Sequence, residues 1–376
     1  MKLQEYQGKQ LFREYGIPVP EGKVAATAQE AAGAVKVLGG SAAVKAQVPV
    51  GGRGKAGLIK LVDSEAEAGT VAGSLLGAHH EGFTVMKLLV EEKMEIDMEL
   101  FLSLVVDGRG KIVMLFSPSG GMEIETVAEL EPEKMFSLEI DPCALPPLYR
   151  LRPFLRQGGL RGKILNELAN VAFKLLKMFF DKDLLVAEIN PLAVLSDGRV
   201  VAGDAKVEMD DNALYRQQWQ ETQEFDNPLE MEARNIGVTY YRLEGDIGII
   251  ASGAGLAMCT MDLLAEAGHN PANFLETGGG ITEELMYRAV KLVCSHEKVR
   301  GLLVNLYGGV NPIEKGAAGI VRAINEMSPR PPLVVKALGN KQEECWRVLE
   351  EGGIPVVSSV RTEVAARRLV ELMDGN

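Results

Sequence analysis

From about residue 245 onward, apolar runs of strand length alternate with segments whose apolar residues recur at helical spacing. Strands are predicted near 247–251, 272–275, 301–306, 333–337 and 354–357, with helices around 255–267, 282–295, 313–327, 342–351 and 362–373. Such a succession of βα units predicts a parallel sheet covered on both faces, of the flavodoxin or Rossmann kind, with ligands beyond the carboxyl ends of the strands. Those ends are rich in glycine: SGAG at 252–255, TGGG at 277–280 and YGGV at 307–310 each follow a strand and precede a helix. A turn of this type offers free backbone N–H groups and the positive end of a helix dipole to an anion. Taken singly, each is better explained by the steric need for glycine where a strand meets a helix. None matches GxGxxG, which argues against a redox dinucleotide.

The first 225 residues or so have a mixed rhythm. Helices are predicted at 5–15 and 27–38, and the AAVKAQV run at 42–48 reads as a strand that ends in the glycine loop VPVGGRGKAG. Strands at 87–92, 99–106 and 111–117 precede a long helix from 162 to 180 and then a hairpin. The acidic, Gln-rich stretch at 217–235 is the predicted connector between the halves.

Length and composition narrow the setting. At 376 residues the chain exceeds what one core ordinarily supports, so two or three domains are expected. Hydrophobic residues at 47% and charged residues at 24% are ordinary for a globular protein, and no apolar run is long enough to span a bilayer, so no membrane association is expected. The net charge of -12 disfavours nucleic acid as a general partner. Cys143, Cys259, Cys294 and Cys345 are dispersed without a C-x-x-C pair, so they are expected as buried thiols. His79, His80, His269 and His296 are expected at the surface. The N-terminus carries no targeting pattern, and a cytoplasmic setting is expected, although an organellar protein trimmed of its transit peptide would read the same way.

The chemistry concentrates in the hairpin AEINPLAVLSDGRVVAGDAKVEMDDNALYR at 187–216. Glu188, Asn190 and Asp204 are hard oxygen donors of the type that holds Mg²⁺ beside phosphates, an ion that needs one or two protein ligands besides a nucleotide. An Asp or Asn beside a turn is, on its own, more often a turn former. Upstream, Lys45 lies on a predicted strand among apolar neighbours, where a lysine is costly unless it meets an anion, and a phosphate would serve. The Gly51-Gly52-Arg53-Gly54-Lys55 loop is flexible and basic and could fold over phosphates, though it is not the Walker pattern. Glu91 and Glu99 stand on successive strands, where carboxylates can accept from an adenine amino group or ribose hydroxyls; each alone reads as a solvated strand-end charge.

Together these segments resemble the ATP-grasp fold, and along essentially the whole chain the sequence resembles the β subunits of succinate–CoA ligases. The likeness rests on EYQGKQLFREYGIPVP, VKAQVPVGGRGKAG, SGGMEIETVAE, AEINPL with GDAKVEMDDNALYRQ, and GAGLAMCTMD with PANFLETGGG. It implies an α/β protein with an N-terminal ATP-grasp domain over 1–235, in two subdomains of which the smaller covers about 20–100, followed by a flavodoxin-like CoA-ligase domain over 236–376. The implied reaction converts a small carboxylic acid, most simply succinate, with CoA and ATP or GTP, to an acyl-CoA, a nucleoside diphosphate and phosphate. The nucleotide contacts implied are Lys45, Gly52, Arg53, Gly54, Glu91, the Met94 backbone and Glu99, with Mg²⁺ on Asn190 and Asp204. Glu188 is the implied carboxylate that orients a phosphorylated histidine of a partner α subunit, which is also expected to bind most of the CoA. Ser252, Gly309, Val310 and Asn311 fall at the implied acid site.

The departures from the family pattern cluster at that acid site. Ser252 replaces an asparagine, and Asn311-Pro312-Ile313 stands where the family has an arginine at a helix start, with Pro312 expected at the first helical position. Glu276 takes the place of an aspartate, the 334–340 strand end lacks its usual arginine and glutamate, and Pro49 stands where a histidine is common. These changes admit another acid such as malate, or a regulatory subunit that binds nucleotide without catalysis; a stand-alone carboxylate–amine ligase of the same fold fits the C-terminal half less well.

Overall fold

The computed structural model describes residues 1–48, 52–80, 83–122, 124–217 and 228–374; Pro49, Gly51 and most of the predicted connector lie outside the described residues. Two compact units emerge, Met1–Glu224 and Phe225–Asn376.

In the first unit, α1 (Glu5–Glu14) is followed by β1 (Gly22–Ala25), α2 (Ala28–Val37), β2 (Ala42–Ala46), β3 (Ile59–Val62), α3 (Glu65–Leu75), a short pair β4 (His79–His80) and β5 (Phe83–Thr84), and β6 (Leu88–Glu92). An antiparallel sheet of order β1-β6-β2-β3 results. Its apolar side packs on α2 and α3 through Ala31, Val35, Val44, Ala68 and Val90. Both helices start on a side-chain cap: Thr27 Oγ1 accepts from Glu30 N and Ser64 Oγ from Glu67 N, each at 3.2 Å.

The chain then adds β7 (Ile96–Val106), β8 (Ile112–Ser117), α4 (Ile124–Leu130), β9 (Phe136–Ile140), α5 (Leu148–Leu155), α6 (Gly162–Asp181), β10 (Leu184–Leu195), β11 (Val200–Ala202) and β12 (Lys206–Met209). These strands form a second sheet of order β11-β10-β7-β8-β9, with β12 also paired to β10. Helix α6 buries Leu168, Val171, Ala172, Leu175, Leu176 and Phe179, a stripe at three- and four-residue spacing, in the same core as the sheet's inner face.

The second unit comprises α7 (Pro228–Ile236), β13 (Thr239–Arg242), β14 (Ile247–Ala251), α8 (Ala254–Glu266), β15 (Asn273–Glu276), α9 (Glu283–Cys294), β16 (Gly301–Gly308), α10 (Glu314–Asn325), β17 (Leu333–Gly339), α11 (Gln342–Glu351), β18 (Val356–Val357) and α12 (Thr362–Met373). The sheet order is β13-β15-β14-β16-β17-β18, with residues of α8 and α12 in one apolar layer and those of α9, α10 and α11 in the other.

Several expectations are corrected here. The sheet is not wholly parallel, because β13 joins β15 antiparallel at the edge. Part of the predicted connector is helix α7, which belongs to the second unit's core through Ala233. Helix α10 begins at Glu314, not at Pro312, because Ile313 first sinks fully into the core and donates its N–H to Asn340 O at 3.1 Å. Cys143 and Cys259 are exposed; only Cys345 among the cysteines is buried. His296 is buried, with Nε2 lacking a hydrogen-bond partner among the described residues and Nδ1 accepting from Lys298 N, and burial lowers its pKa. Among the described residues no helix is long and apolar enough to cross a membrane.

Candidate functional site

In the first unit, β10 pairs along one edge with β12 and then β11, in a single register from Val186 to Val194: Glu188 faces Lys206 and Leu192 faces Ala202. Gly203 N donates to Pro191 O at 2.9 Å between those pairs, which sets Asn190 opposite Asp204. Ala187, Ile189, Ala205 and Val207 point into the core, so Glu188, Asn190, Asp204 and Lys206 share the other side. Beyond this point the register against β7 shifts, and Leu192 and Val194 become the core-facing residues.

Asn190 is held by the SGGM turn. Its Oδ1 accepts from Gly121 N and its Nδ2 donates to Met122 O, both at 2.8 Å. The turn reaches β7 closely enough that a Cβ on Gly120 would lie 2.3 Å from Leu100 O, so only glycine fits there.

Asp204 connects this hairpin to a buried ionic cluster. Arg53 Nη2 donates to both Asp204 carboxylate oxygens, at 2.7 and 2.9 Å, and its Nη1 donates to Glu5 Oε2 at 2.7 Å. Lys45 Nζ meets Glu5 Oε1 at 2.8 Å, Glu91 Oε2 at 2.9 Å and Gly203 O at 2.7 Å. Lys9 Nζ donates to both Glu91 oxygens at 2.7 and 2.6 Å, to Gly203 O at 2.9 Å, and lies 2.8 Å from Glu5. The anion that repays Lys45's burial is thus carboxylate from its own chain, with Lys9, Lys45 and Arg53 balanced by Glu5, Glu91 and Asp204. Glu91 is not a solvated strand-end charge: it is 1% exposed.

Burial alone would raise the Glu5 carboxyl, but Lys45, Lys9 and Arg53 outweigh it and hold Glu5 well below the usual carboxylate range. Burial likewise opposes the charges on Lys45 and Arg53, yet Glu5 with Glu91 or Asp204 raises both above their ordinary values. Lys9 is pushed down by burial, against Glu5 and Glu91. A depressed carboxyl contributes stability that is present above its unfolded pKa and lost as pH falls through the folded value. The thermal midpoint of the chain is therefore expected to fall on acidification below the ordinary carboxylate range, with a shallower fall in Glu5→Gln; equal slopes in a calorimetric pH series would contradict this.

Of the residues singled out in the sequence, Lys45, Arg53, Glu91 and Asp204 meet in the cluster, and Asn190 and Glu188 adjoin it on β10. Glu188 lies 4.0 Å from Lys206 and is largely buried. Gly52 and Gly54 belong to the turn that carries Arg53, closed by Ala56 N on Gly52 O and by Gly57 N on Gly54 O, each at 3.1 Å. Met94 sits in the link between β6 and β7, packed against Ala193, Leu195 and Val201. Glu99 stays outside the cluster, exposed on β7 beside Gly121. Sequence reading passed over Glu5 and Lys9, whose only signal is an E-x-x-x-K spacing at the start of a helix.

The donor set suits magnesium. The Asn190 amide oxygen has one lone pair beyond its bond from Gly121, and Asp204, engaged by Arg53 and Ala205 N, retains further acceptor capacity. One amide and one carboxylate match the sparse protein ligation that Mg²⁺ accepts, and no group of three or more His, Cys, Asp or Glu among the described residues is placed to hold a metal.

The residues expected at the acid site lie in the second unit, at the carboxyl ends of β14 and β16. Ser252 Oγ accepts from Tyr307 N at 2.6 Å and donates to Tyr307 O at 3.2 Å, stapling the two strand ends. Val310 is 90% exposed, and its carbonyl accepts from Asn340 Nδ2 at 2.7 Å. Gly309 is next to it, and the Asn311 amide approaches Gly279 of the TGGG turn. Glu276 accepts from Gly278 N at 2.9 Å and from Thr239 Oγ1 at 3.1 Å, so it serves its own turn and the edge strand.

A family model for the ATP-grasp domain matches residues 2–194, and one for CoA-ligase matches residues 250–370. The β subunit of the GDP-forming succinate–CoA ligase of Thermus thermophilus is 41% identical over the full length of both chains. The ADP-forming counterpart of Pseudomonas aeruginosa is likewise 41% identical, with both chains covered in full. Among solved structures, ATP citrate lyase from Methanothrix soehngenii in complex with citrate and coenzyme A superposes with a TM-score of 0.76 at 18% identity, covering 100% of this chain and 99% of that one. At that identity the likeness is one of fold.

Proposed function

Because the chain belongs to the family of succinate–CoA ligase β subunits, we propose that its first unit binds a magnesium nucleotide and passes phosphate to a histidine of a partner α subunit. The observation that carries this reading is the cluster of Lys45, Arg53, Glu91 and Asp204, joined through the hairpin to Asn190 and Glu188. Asn190 and Asp204 would hold magnesium, which when bound supplies positive charge beside the phosphates. Lys45 and Arg53 neutralise charge on the transferring phosphoryl group, a step catalysed mainly by positioning and electrostatics. Gly52 and Gly54 present backbone N–H groups to the phosphates; Glu91, Met94 and Glu99 serve the nucleoside. Glu188 accepts a hydrogen bond from the incoming histidine and fixes its ring for attack, as a carboxylate beside an imidazole does. The second unit then receives the phosphorylated histidine, and its Tyr307–Val310 turn faces the acid with backbone N–H groups. An acyl phosphate forms there, and the thiolate of CoA, held chiefly by the partner, displaces phosphate from it. The domain boundary proposed lies within the connector, ahead of the 1–235/236–376 division expected from the sequence, so that α7 goes with the second domain, and the setting is cytoplasmic.

Succinate is the acid this reading assigns first. A second reading, malate or another small acid, is favoured by Ser252, whose hydroxyl is already engaged by the Tyr307 backbone and is withdrawn from a substrate. The test is to co-express the chain with its α-type partner and to assay CoA-dependent nucleoside diphosphate release over a panel of acids, with ATP and GTP in parallel. Release with succinate preferred at least about tenfold, a difference near 1.4 kcal/mol, sustains the first reading; preference for another acid sustains the second. No release with any acid would leave a nucleotide-binding regulatory subunit.

A further inference from the structure

We propose that Glu5 and Lys9, one turn apart on α1, are positioning residues of the nucleotide site, acting through Lys45, Arg53 and Glu91 to fix its geometry and net charge; this rests on the nucleotide reading above. Glu5 contacts all three cations, Lys9 at 2.8 Å, Lys45 at 2.8 Å and Arg53 at 2.7 Å. Lys9 joins Glu5 to Glu91 and shares the Gly203 carbonyl with Lys45. Both side chains are 1% exposed.

A Glu–Lys pair that merely supports a helix lies on its solvated face. Burying such a pair is a net cost unless further groups complete it, and apolar residues would pack the same space. Here the cations and carboxylates that complete the pair all belong to the proposed nucleotide site, with the Gly203 carbonyl beside them and a longer bond from Gln47 Nε2 to Glu5 Oε2 at 3.4 Å. The pair therefore orients Lys45 and Arg53 and sets the charge they present. With six ionised groups the cluster is neutral; Glu5→Gln leaves it one unit positive, Lys9→Met one unit negative, and the double variant neutral again.

The two single changes thus act on an anionic ligand with opposite sign. In the complex with the α-type partner, Lys9→Met is expected to weaken binding of magnesium ADP or GDP about tenfold or more, the scale of one charge a few ångströms away in a partly shielded site. Glu5→Gln is expected to keep or tighten that affinity while kcat falls about tenfold, because Lys45 and Arg53 lose a shared anchor. The double variant should return affinity to within about threefold of the parent while kcat stays low, since it restores charge but not position. Affinity is read by calorimetry, turnover by nucleoside diphosphate release, and folding by thermal midpoint. If Lys9→Met does not fold, Lys9→Arg and Glu5→Asp keep charge and alter reach, and should lower kcat with affinity held to about threefold. Lower thermal midpoints with unchanged affinity and kcat would reduce the pair to a structural role and overturn the inference alone. A parent complex that binds no magnesium nucleotide would overturn the functional reading itself.

Discussion

Replacing Lys45 with methionine is expected to abolish useful turnover, lowering kcat about a thousandfold, the upper range for removing one preorganised group that stabilises transition-state charge. Lys45 Nζ sits among Glu5, Glu91 and the Gly203 carbonyl, so its loss strips two buried carboxylates of a shared cation as well as removing a phosphate partner. Breaking such a buried arrangement costs about 3–5 kcal/mol. Denaturant unfolding alongside the ligase assay separates the two effects: at denaturant-free conditions where the variant remains folded, the activity loss should persist. Turnover within tenfold of the parent would remove Lys45 from the phosphoryl-transfer step.

Glu188→Gln is the second large effect, and it should divide the reaction. Glu188 stands two residues from Asn190 on the same side of β10, and among the described residues the cation within 4.0 Å of it is Lys206, which is not part of the Glu5–Lys9–Lys45–Arg53 group. Nucleotide affinity is therefore expected to stay within about threefold, while phosphorylation of the partner's histidine falls about a hundredfold or more through loss of the oriented acceptor. Labelled phosphate incorporated into the partner in a single turnover reads the second quantity, and calorimetry the first. Equal losses in both would mean that Glu188 is a nucleotide residue and not one that serves the histidine.

The second unit was nearly all legible because each βα unit repeats a buried strand and an amphipathic helix, and α8 to α12 start and stop within a few residues of the periodicity. What escaped was β13, a four-residue edge strand with only Tyr240 buried, too short to display a period. The start of α10 escaped because Pro312 is a strong formal signal for a first helical position, whereas the burial of Ile313 is a tertiary fact. In the first unit Lys45, Arg53, Glu91 and Asp204 were found as individual polar residues in suggestive places. That they neutralise one another through α1 was not legible, since an i and i+4 spacing such as that of Glu5 and Lys9 does not mark burial until the sheets that cover it are in place. His296 misled for the same reason: a polar residue after a helix end carries no mark of what will cover it.

The Gly203 carbonyl, which takes hydrogen bonds from both Lys9 and Lys45, has a consequence for how this protein can change. Its oxygen belongs to the peptide bond, so no point mutation can delete it, and screening by residue replacement sees the lysines but never the group that unites them. The centre of the ionic cluster is written in the register of a hairpin, and drift in this chain can alter it only by moving the strand.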